Sequence, residues 1–267
     1  MGEDIRTLRT RIKNVRNTLD MTTAMGLMAA SRRPRSMRSL LRVREYDEGI
    51  GRAIVPLLSD LDCQKSRYFR ADLEKPCCLV AISADRGMAG GFDASIFKAL
   101  REYEDMPILP IGKRICERYE KMAVRAQDFD IARAKNMAEE LCRDFVAGQY
   151  SRVEILYTHY ESAFVHHVEK RRILPLEAGE RSEQRLAIFE PDAEAVLSHI
   201  VPLYVAGALL RAVRESVASE IAARTQAMDI ATKNASAMLD EMHLALGRAR
   251  QSAITQEISE IVASIEP

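Results

Sequence analysis

The sequence predicts an α/β protein: a long antiparallel coiled coil of N- and C-terminal helices plus a three-layer, Rossmann-like α/β central domain. The C-terminal run from Leu203 to Ile265 contains no proline and only two glycines, Gly207 and Gly247, and is rich in good helix formers. Apolar residues at both ends of the chain recur at alternating spacings of three and four. Between them, short apolar runs bounded by turn residues alternate with helical stretches. The chain divides accordingly into an N-terminal coiled-coil helix (1–58), a central α/β domain (59–190) and a C-terminal coiled-coil helix (191–267).

In the first helix, from Glu3 to about Leu58, the seam is marked by Ile5, Leu8, Ile12, Val15, Leu19, Thr22, Gly26 and Ala29. Pro34 removes a backbone donor and crowds the preceding turn, so a kink or break is expected there, and Pro56 closes the segment. Cys77–Ile82 is a short, apolar, partly β-branched run and reads as a buried strand. After it come a glycine-containing loop to Asp93, a helix over 94–103, a strand over 106–111 and helices over 113–122 and 131–147. Strands over 152–160 and 164–174 close the domain as a hairpin, completing a mainly parallel sheet. Glu177–Arg185 is charged and reads as a surface loop.

Glu190-Pro191-Asp192 starts the last helix with proline in its first turn, and Pro202 kinks its path. Roughly 60 helical residues beyond that span on the order of 90 Å. Their seam runs through Leu210, Val213, Val217, Ile221, Met228, Ala231, Ala235, Met238, Met242, Leu246, Ala249 and Ala253. The small residues at 231, 235, 249 and 253 let a partner helix approach closely, and the N-terminal helix is the natural antiparallel partner. Arg211, Arg214, Arg224, Arg248, Arg250, Glu215, Glu220, Asp229, Glu257 and Glu260 are read as lying outside this seam, solvated or touching a second protein.

Formal net charge is zero, so no global field favours nucleic acid or an anionic membrane. From Met1 to Glu45, however, 11 Lys/Arg stand against 4 Asp/Glu, which suits a solvated basic face or a partner with acidic loops. No apolar run approaches the roughly 20 residues of a bilayer span, and the N-terminus lacks a signal-peptide core, so a soluble intracellular protein with no direct membrane insertion is expected. The five cysteines form no C-x-x-C pair and are expected to be free and mostly buried.

Nothing reads as a self-contained active site, a cofactor site or a metal site. Gly87, Gly90 and Gly91 match neither dinucleotide nor P-loop spacing, which leaves a tight structural turn. His159, His166, His167, His199 and His243 offer no i, i+4 pair, and in a strand His166 and His167 point to opposite faces. There is no G-x-S-x-G elbow, and Cys77-Cys78 sits within a strand.

Several stretches resemble the gamma subunit of F-type ATP synthases, the central rotor shaft. Ala249-Arg250-Gln251-Ser252-Ala253-Ile254-Thr255-Gln256-Glu257-Ile258, with Glu260-Ile261-Val262, is similar to that family's terminal signature ARQAxITQEIxEIV. Ala218–Arg224 and Ala227–Ala235 resemble its ASExAARMxAMxxATxNA segment. Arg11–Thr18 and Thr23–Ser31 resemble RIKSVKNT and TKAMxMVAAS, and Asp85–Phe92 resembles the loop DRGLCGGxN. Gly26 departs from the family, which more often has a long residue there.

The resemblance implies a non-catalytic subunit whose paired helices stand inside a ring of alternating alpha and beta subunits. The α/β domain would sit against the epsilon subunit and the membrane c-subunit ring. Ion flow, of protons or sodium, would turn the shaft and drive ATP synthesis at the beta subunits, on the cytoplasmic face of a bacterial plasma membrane. The rotor–stator contacts it implies are Met25, Arg224, Arg250, Gln251, Thr255 and Glu257. Two other readings remain at this stage. One is a coiled-coil adaptor with an α/β docking domain, which would not need the polar cluster at 250–257. The other is a small nucleotide-binding enzyme, which added nucleotide would stabilise.

Overall fold

The computed structural model describes residues 2–103, 106–122, 124–179 and 189–265; the loop expected over Glu177–Arg185 lies outside them from residue 180 onward. In chain order the regular elements are α1 (Gly2–Leu58), β1 (Cys77–Ile82), α2 (Phe92–Ala99), β2 (Ile108–Ile111), α3 (Lys113–Arg118), α4 (Ile131–Val146), β3 (Arg152–Tyr160), β4 (His166–Leu174) and α5 (Ala193–Ile265). They form two compact units, Arg32–Ala223 and Met1–Ser31 with Arg224–Pro267. α1 and α5 each contribute to both.

The larger unit is built on a four-stranded sheet of order β2-β1-β3-β4. β1 pairs in parallel with β2 (Leu79 beside Ile108) and β3 (Val80 beside Ile155), while β4 runs antiparallel to β3. Every residue of β1 is buried, as a central parallel strand with both faces covered requires. Leu79, Ala81 and Leu156 face a cluster with Ile96, Leu100 and Ile115 from α2, the turn after it and α3. On the other face Cys78, Val80, Ile82 and Ile155 pack with Leu141 and Phe145 of α4, Ile54 and Leu57 of α1, and the first half of α5. The layers are therefore helix, sheet, helix.

Local chemistry places the helix ends. Asp130 accepts from Arg133 N at 2.9 Å and caps α4; Asp192 accepts from Ala195 N at 2.8 Å and caps α5, so Pro191 precedes the cap instead of lying in the first turn. α3 stops at Arg118, four residues short of expectation, because Glu120 turns left-handed (φ 50°) and Lys121 N donates to Cys116 O at 3.0 Å. Gly112 (φ 107°) admits no side chain, since a Cβ there would come within 2.2 Å of Ser83 O.

α1 is one unbroken helix through Pro34 and Pro56, and α5 runs through Pro202, so the chain does not break at any of the three. A proline forfeits one intrahelical bond and costs about 3 kcal/mol. Packing outweighs that cost: Leu40, six residues after Pro34, is fully buried with Tyr160, Ala218 and Ala222, and Val201 and Val205 flank Pro202 in the main core.

α5 is covered on nearly all sides from Val205 to Arg224, and this corrects the placement of its charges. Glu215 and Glu220 are 0% and 1% exposed, Arg224 is buried, and Arg211 and Arg214 are half-buried. One stretch of α5 is apolar and long enough to cross a membrane by composition, which the sequence reading did not register, and 56% of it is buried within the protein. All five cysteines are free and buried.

Candidate functional site

The six residues that resemble rotor contacts all belong to the smaller unit, in which α1 and α5 lie side by side. Thr232 Oγ1 donates to Thr22 Oγ1 at 3.0 Å, and Thr22 Oγ1 in turn donates to Leu19 O at 3.0 Å. Four residues further along α1, a Cβ on Gly26 would meet Met228 Cβ at 3.4 Å. Advancing by four on α1 thus retreats by four on α5, and the pair is antiparallel. The gap at Gly26 has room for a methyl group against Met228 and not for a larger side chain.

The seam follows the three-four pattern. Ile12, Thr22 and Ala29 are buried, and Ile5, Leu8, Val15, Leu19 and Gly26 are partly so. On α5, Met228, Ala235 and Leu239 are buried, with Ala231, Met242, Leu246, Ala249 and Ala253 partly covered. Met238 is the exception: it is 47% exposed and Leu239, at 7%, takes its place. A step of four from Ala235 to Leu239 and then three to Met242 fits the seam as well as the expected three and four.

Met25 is partly covered, one residue before Gly26. The register sets it opposite Asp229, one turn from the level of Arg224. Arg250, Gln251, Thr255 and Glu257 are all exposed. Gln251 and Thr255 are joined, Thr255 Oγ1 donating to Gln251 O at 3.0 Å, and next to them Gln256 Nε2 donates to Glu260 Oε1 at 2.9 Å. Arg250 lies 21 residues beyond Asp229, about 30 Å along the helix. The six residues therefore form two levels: Met25 and Arg224 at one, and the polar group from Arg250 to Glu257 at the other.

The outer surface is mixed in character. Ile254, Ile258 and Ile261 are more than half exposed at spacings of four and three beside the polar group, and Leu27 and Met28 are likewise exposed near Met25. By the same register Ile254 and the residues after it lie past Gly2, the start of α1, on α5 alone; contiguous apolar exposure there marks a surface that meets protein.

The glycine-containing loop is a structural turn. Asp93 Oδ1 accepts from Ala84 N at 3.1 Å, and Met88 (φ 61°) and Gly90 (φ 59°) take left-handed conformations. Buried Asp85 accepts from the backbone N–H groups of Lys113 (3.2 Å), Ala126 (2.9 Å) and Gln127 (2.9 Å). Sequence reading quoted Asp85 only as part of a motif and missed this anchoring; an aspartate just after a buried strand was the available signal. Among the described residues no group of three or more His, Cys, Asp or Glu could hold a metal ion.

An ionic network within the larger unit was also missed. Glu215 Oε1 accepts from Arg44 Nε (3.0 Å) and Arg211 Nε (3.1 Å), its Oε2 lies 2.6 Å from His159 Nδ1, and Arg211 Nη1 donates to Asp47 Oδ2 at 3.0 Å. Burial works against the Arg211 charge, but the hydrogen bonds to Asp47 and Glu215 outweigh it and raise its pKa. The i, i+4 pair Arg211 and Glu215 directly after the apolar run Val205–Leu210 was the sequence signal. Of the adjacent histidines of β4, His167 is exposed and 5.3 Å from the His159 ring, and His166 is half-buried with its pKa lowered by burial and by His167.

Comparison with known proteins agrees with this architecture. The family model described as ATP synthase matches residues 4–267. The ATP synthase gamma chain of Desulforamulus reducens is 32% identical over 283 residues, covering 96% of both chains. That of Ruminococcus albus is 31% identical over 276 residues, covering 97% of this chain and 96% of the relative. Among solved structures, a chain of the Euglena gracilis mitochondrial ATP synthase (OSCP/F1/c-ring) superposes with a TM-score of 0.70 at 17% identity, covering 99% of this chain and 94% of that one. A chain of the Tetrahymena thermophila mitochondrial ATP synthase central stalk and c-ring gives 0.60 at 23% identity, covering 79% and 99%. With the family model matched from residue 4 to the end and bacterial relatives above 30% identity at nearly full length, the chain belongs to the ATP synthase gamma-chain family, the non-catalytic central-stalk subunit of the F-type enzyme.

Proposed function

We propose that this chain turns as a shaft inside a ring of alternating alpha and beta subunits and couples transmembrane proton or sodium flow to ATP synthesis or hydrolysis at the beta subunits. The carrying observation is the two-level surface of α1 and α5, where exposed apolar residues lie beside hydrogen-bonding ones. Apolar contact lets a shaft slide in a sleeve, while Arg224, Arg250, Gln251, Thr255 and Glu257 offer charge-assisted or polar catches that form at particular angles. Met25 is the apolar contact at the lower level. The α/β unit would meet the epsilon subunit and the membrane c-subunit ring, in a membrane-associated complex on the cytoplasmic face of a bacterial plasma membrane.

The test is co-expression with the alpha and beta subunits of the same genome, followed by measurement of mass and ATPase activity. One copy of this chain with three alpha and three beta chains, and activity raised by its presence, is the expected result. A chain that elutes alone while the others assemble and turn over normally overturns the proposal and favours an adaptor. In the membrane-bound complex, Met25→Lys introduces a cation able to form a foreign ion pair, so ATP-driven ion pumping per ATP hydrolysed is expected to fall; unchanged pumping would remove Met25 from the contact set.

A further inference from the structure

Within the larger unit, α1 carries a row of arginines whose charge the chain itself does not neutralise. Arg32, Arg35 and Arg42 are exposed and take part in no hydrogen bond or ion pair among the described residues, and Arg38 reaches only a backbone carbonyl, donating to Pro34 O at 3.4 Å. Arg35 and Arg42 are one heptad apart on the same flank of the helix, and the row from Arg32 to Arg42 is about 15 Å long.

The row borders two adjoining hollows of about 540 and 480 Å³, which share Arg35, Ser39 and Arg214 in their walls. Arg214 of α5 closes the far side. Its Nη2 donates to Phe129 O at 2.9 Å, while its Nε is buried with no hydrogen-bond partner, and burial lowers its pKa. A half-buried guanidinium bonded to a carbonyl, and to no carboxylate among the described residues, is stabilised by an anion in the hollow. Asp128 and Asp130 also border the hollows, and Asp130 Oδ1 is already engaged with Arg133 N as a helix cap. Five guanidiniums thus face two carboxylates.

The geometry points to a binding site for a short phosphate chain in this groove, seated on Arg32, Arg35, Arg42 and Arg214. Guanidinium forks match phosphoryl oxygens in bidentate fashion, and the hydroxyls of Ser36 and Ser39 add donors suited to an oxygen-rich anion. The hollow volumes lie in the small-molecule range of about 300–1,000 Å³. Val43, Leu210 and Ile131 line the first hollow beside the arginines, so a nucleoside triphosphate could rest its base on apolar surface while the arginines hold its phosphates. Inorganic tripolyphosphate presents the same charged chain without a base. This inference does not depend on the rotor reading.

The experiment is calorimetric titration of the purified full-length chain with sodium tripolyphosphate and, separately, with ATP, at constant ionic strength. Saturable binding at one site is expected, weakened at least tenfold in Arg35→Gln/Arg42→Gln and unchanged in Arg9→Gln/Arg16→Gln, which removes two arginines from another part of α1. Both arginines of the first variant are exposed, so its melting temperature should stay at that of the unaltered chain, and the comparison is read only where it does. Ser39→Ala is the second variant, expected to weaken binding without any change in charge. Equal affinity for ATP and tripolyphosphate assigns recognition to the phosphates alone; tighter ATP binding adds the apolar surface. Absence of binding, or equal losses in the two arginine pairs, overturns the proposal. So does a glutamate-rich peptide that binds more tightly than tripolyphosphate, which would make the groove a docking site for acidic protein.

Discussion

Thr232 donates to Thr22, and Thr22 passes its own hydrogen on to the carbonyl of Leu19, so a two-step relay of hydroxyls crosses the seam between α5 and α1. Removing the middle member strands the outer one. Thr22→Val keeps the shape of the side chain but leaves Thr232 without its acceptor, at a cost of about 1 kcal/mol. Local opening should rise roughly fivefold, seen as faster amide exchange in α5 around Thr232 and not in the sheet of the larger unit.

Gly26 allows the opposite test. A methyl group there would sit 3.4 Å from Met228 Cβ, tight but within contact range, and alanine is favoured over glycine inside a helix by about 1 kcal/mol. Gly26→Ala should slow amide exchange in the paired helices, whereas Gly26→Leu, too large for the gap, should accelerate it. Slower exchange in the leucine variant would show that the gap admits more than a methyl group.

Glu215 is fully buried, with the guanidiniums of Arg44 and Arg211 and the ring of His159 around it. Truncating it leaves Arg44 without its carboxylate and Arg211 with Asp47 alone, and breaking a buried pair in this way costs about 3–5 kcal/mol. Glu215→Ala is expected to lower the thermal midpoint of the chain by several degrees, in contrast to Glu257→Ala at an exposed position, which should leave it within a degree.

Burial pushes the thiol pKa of Cys63 up to about 11 and those of Cys78 and Cys142 up to about 12, because the thiolate would lose its hydration. All five cysteines are buried, so a water-soluble thiol reagent at pH 8 should label none of them in the folded chain and all five after denaturation. The linkage has a definite sign. Above the ordinary thiol pKa near 9 the unfolded chain releases protons that the folded chain retains, so stability falls as pH rises from about 9 towards 12. A midpoint constant from pH 8 to 11 would contradict this.

The sequence disclosed the elements whose signals are local. The six-residue run at β1 is buried along its whole length, and the α1 seam chosen by spacing alone is covered at every position from Ile5 to Ala29. It misled where burial comes from distant packing. Glu215 and Glu220 looked like solvent-facing charges because spacing along α5 takes no account of a sheet covering its other sides. Met238 and Leu239 fit the seam equally well until a partner helix selects one. Pro34 reads as a breaker locally, yet the helix around it is held by neighbours such as Tyr160 that lie more than a hundred residues away. Of the candidate site, the identities of Met25, Arg224 and the 250–257 group came from motif resemblance; their separation into two levels came from the register of Thr22 on Thr232 and Gly26 on Met228.

Asp85 sets where the chain can change length. Its carboxylate gathers the start of α3 and the lead-in to α4, while its own backbone N–H points to Glu220 at 3.5 Å. An insertion in either gathered segment would break several of these bonds at once. The stretch from Arg70 to Lys75 is exposed and held by short local turns, so it can absorb extra residues with little loss. Length variation among relatives should accordingly spare the surroundings of Asp85 and collect in the connection between α1 and the first strand.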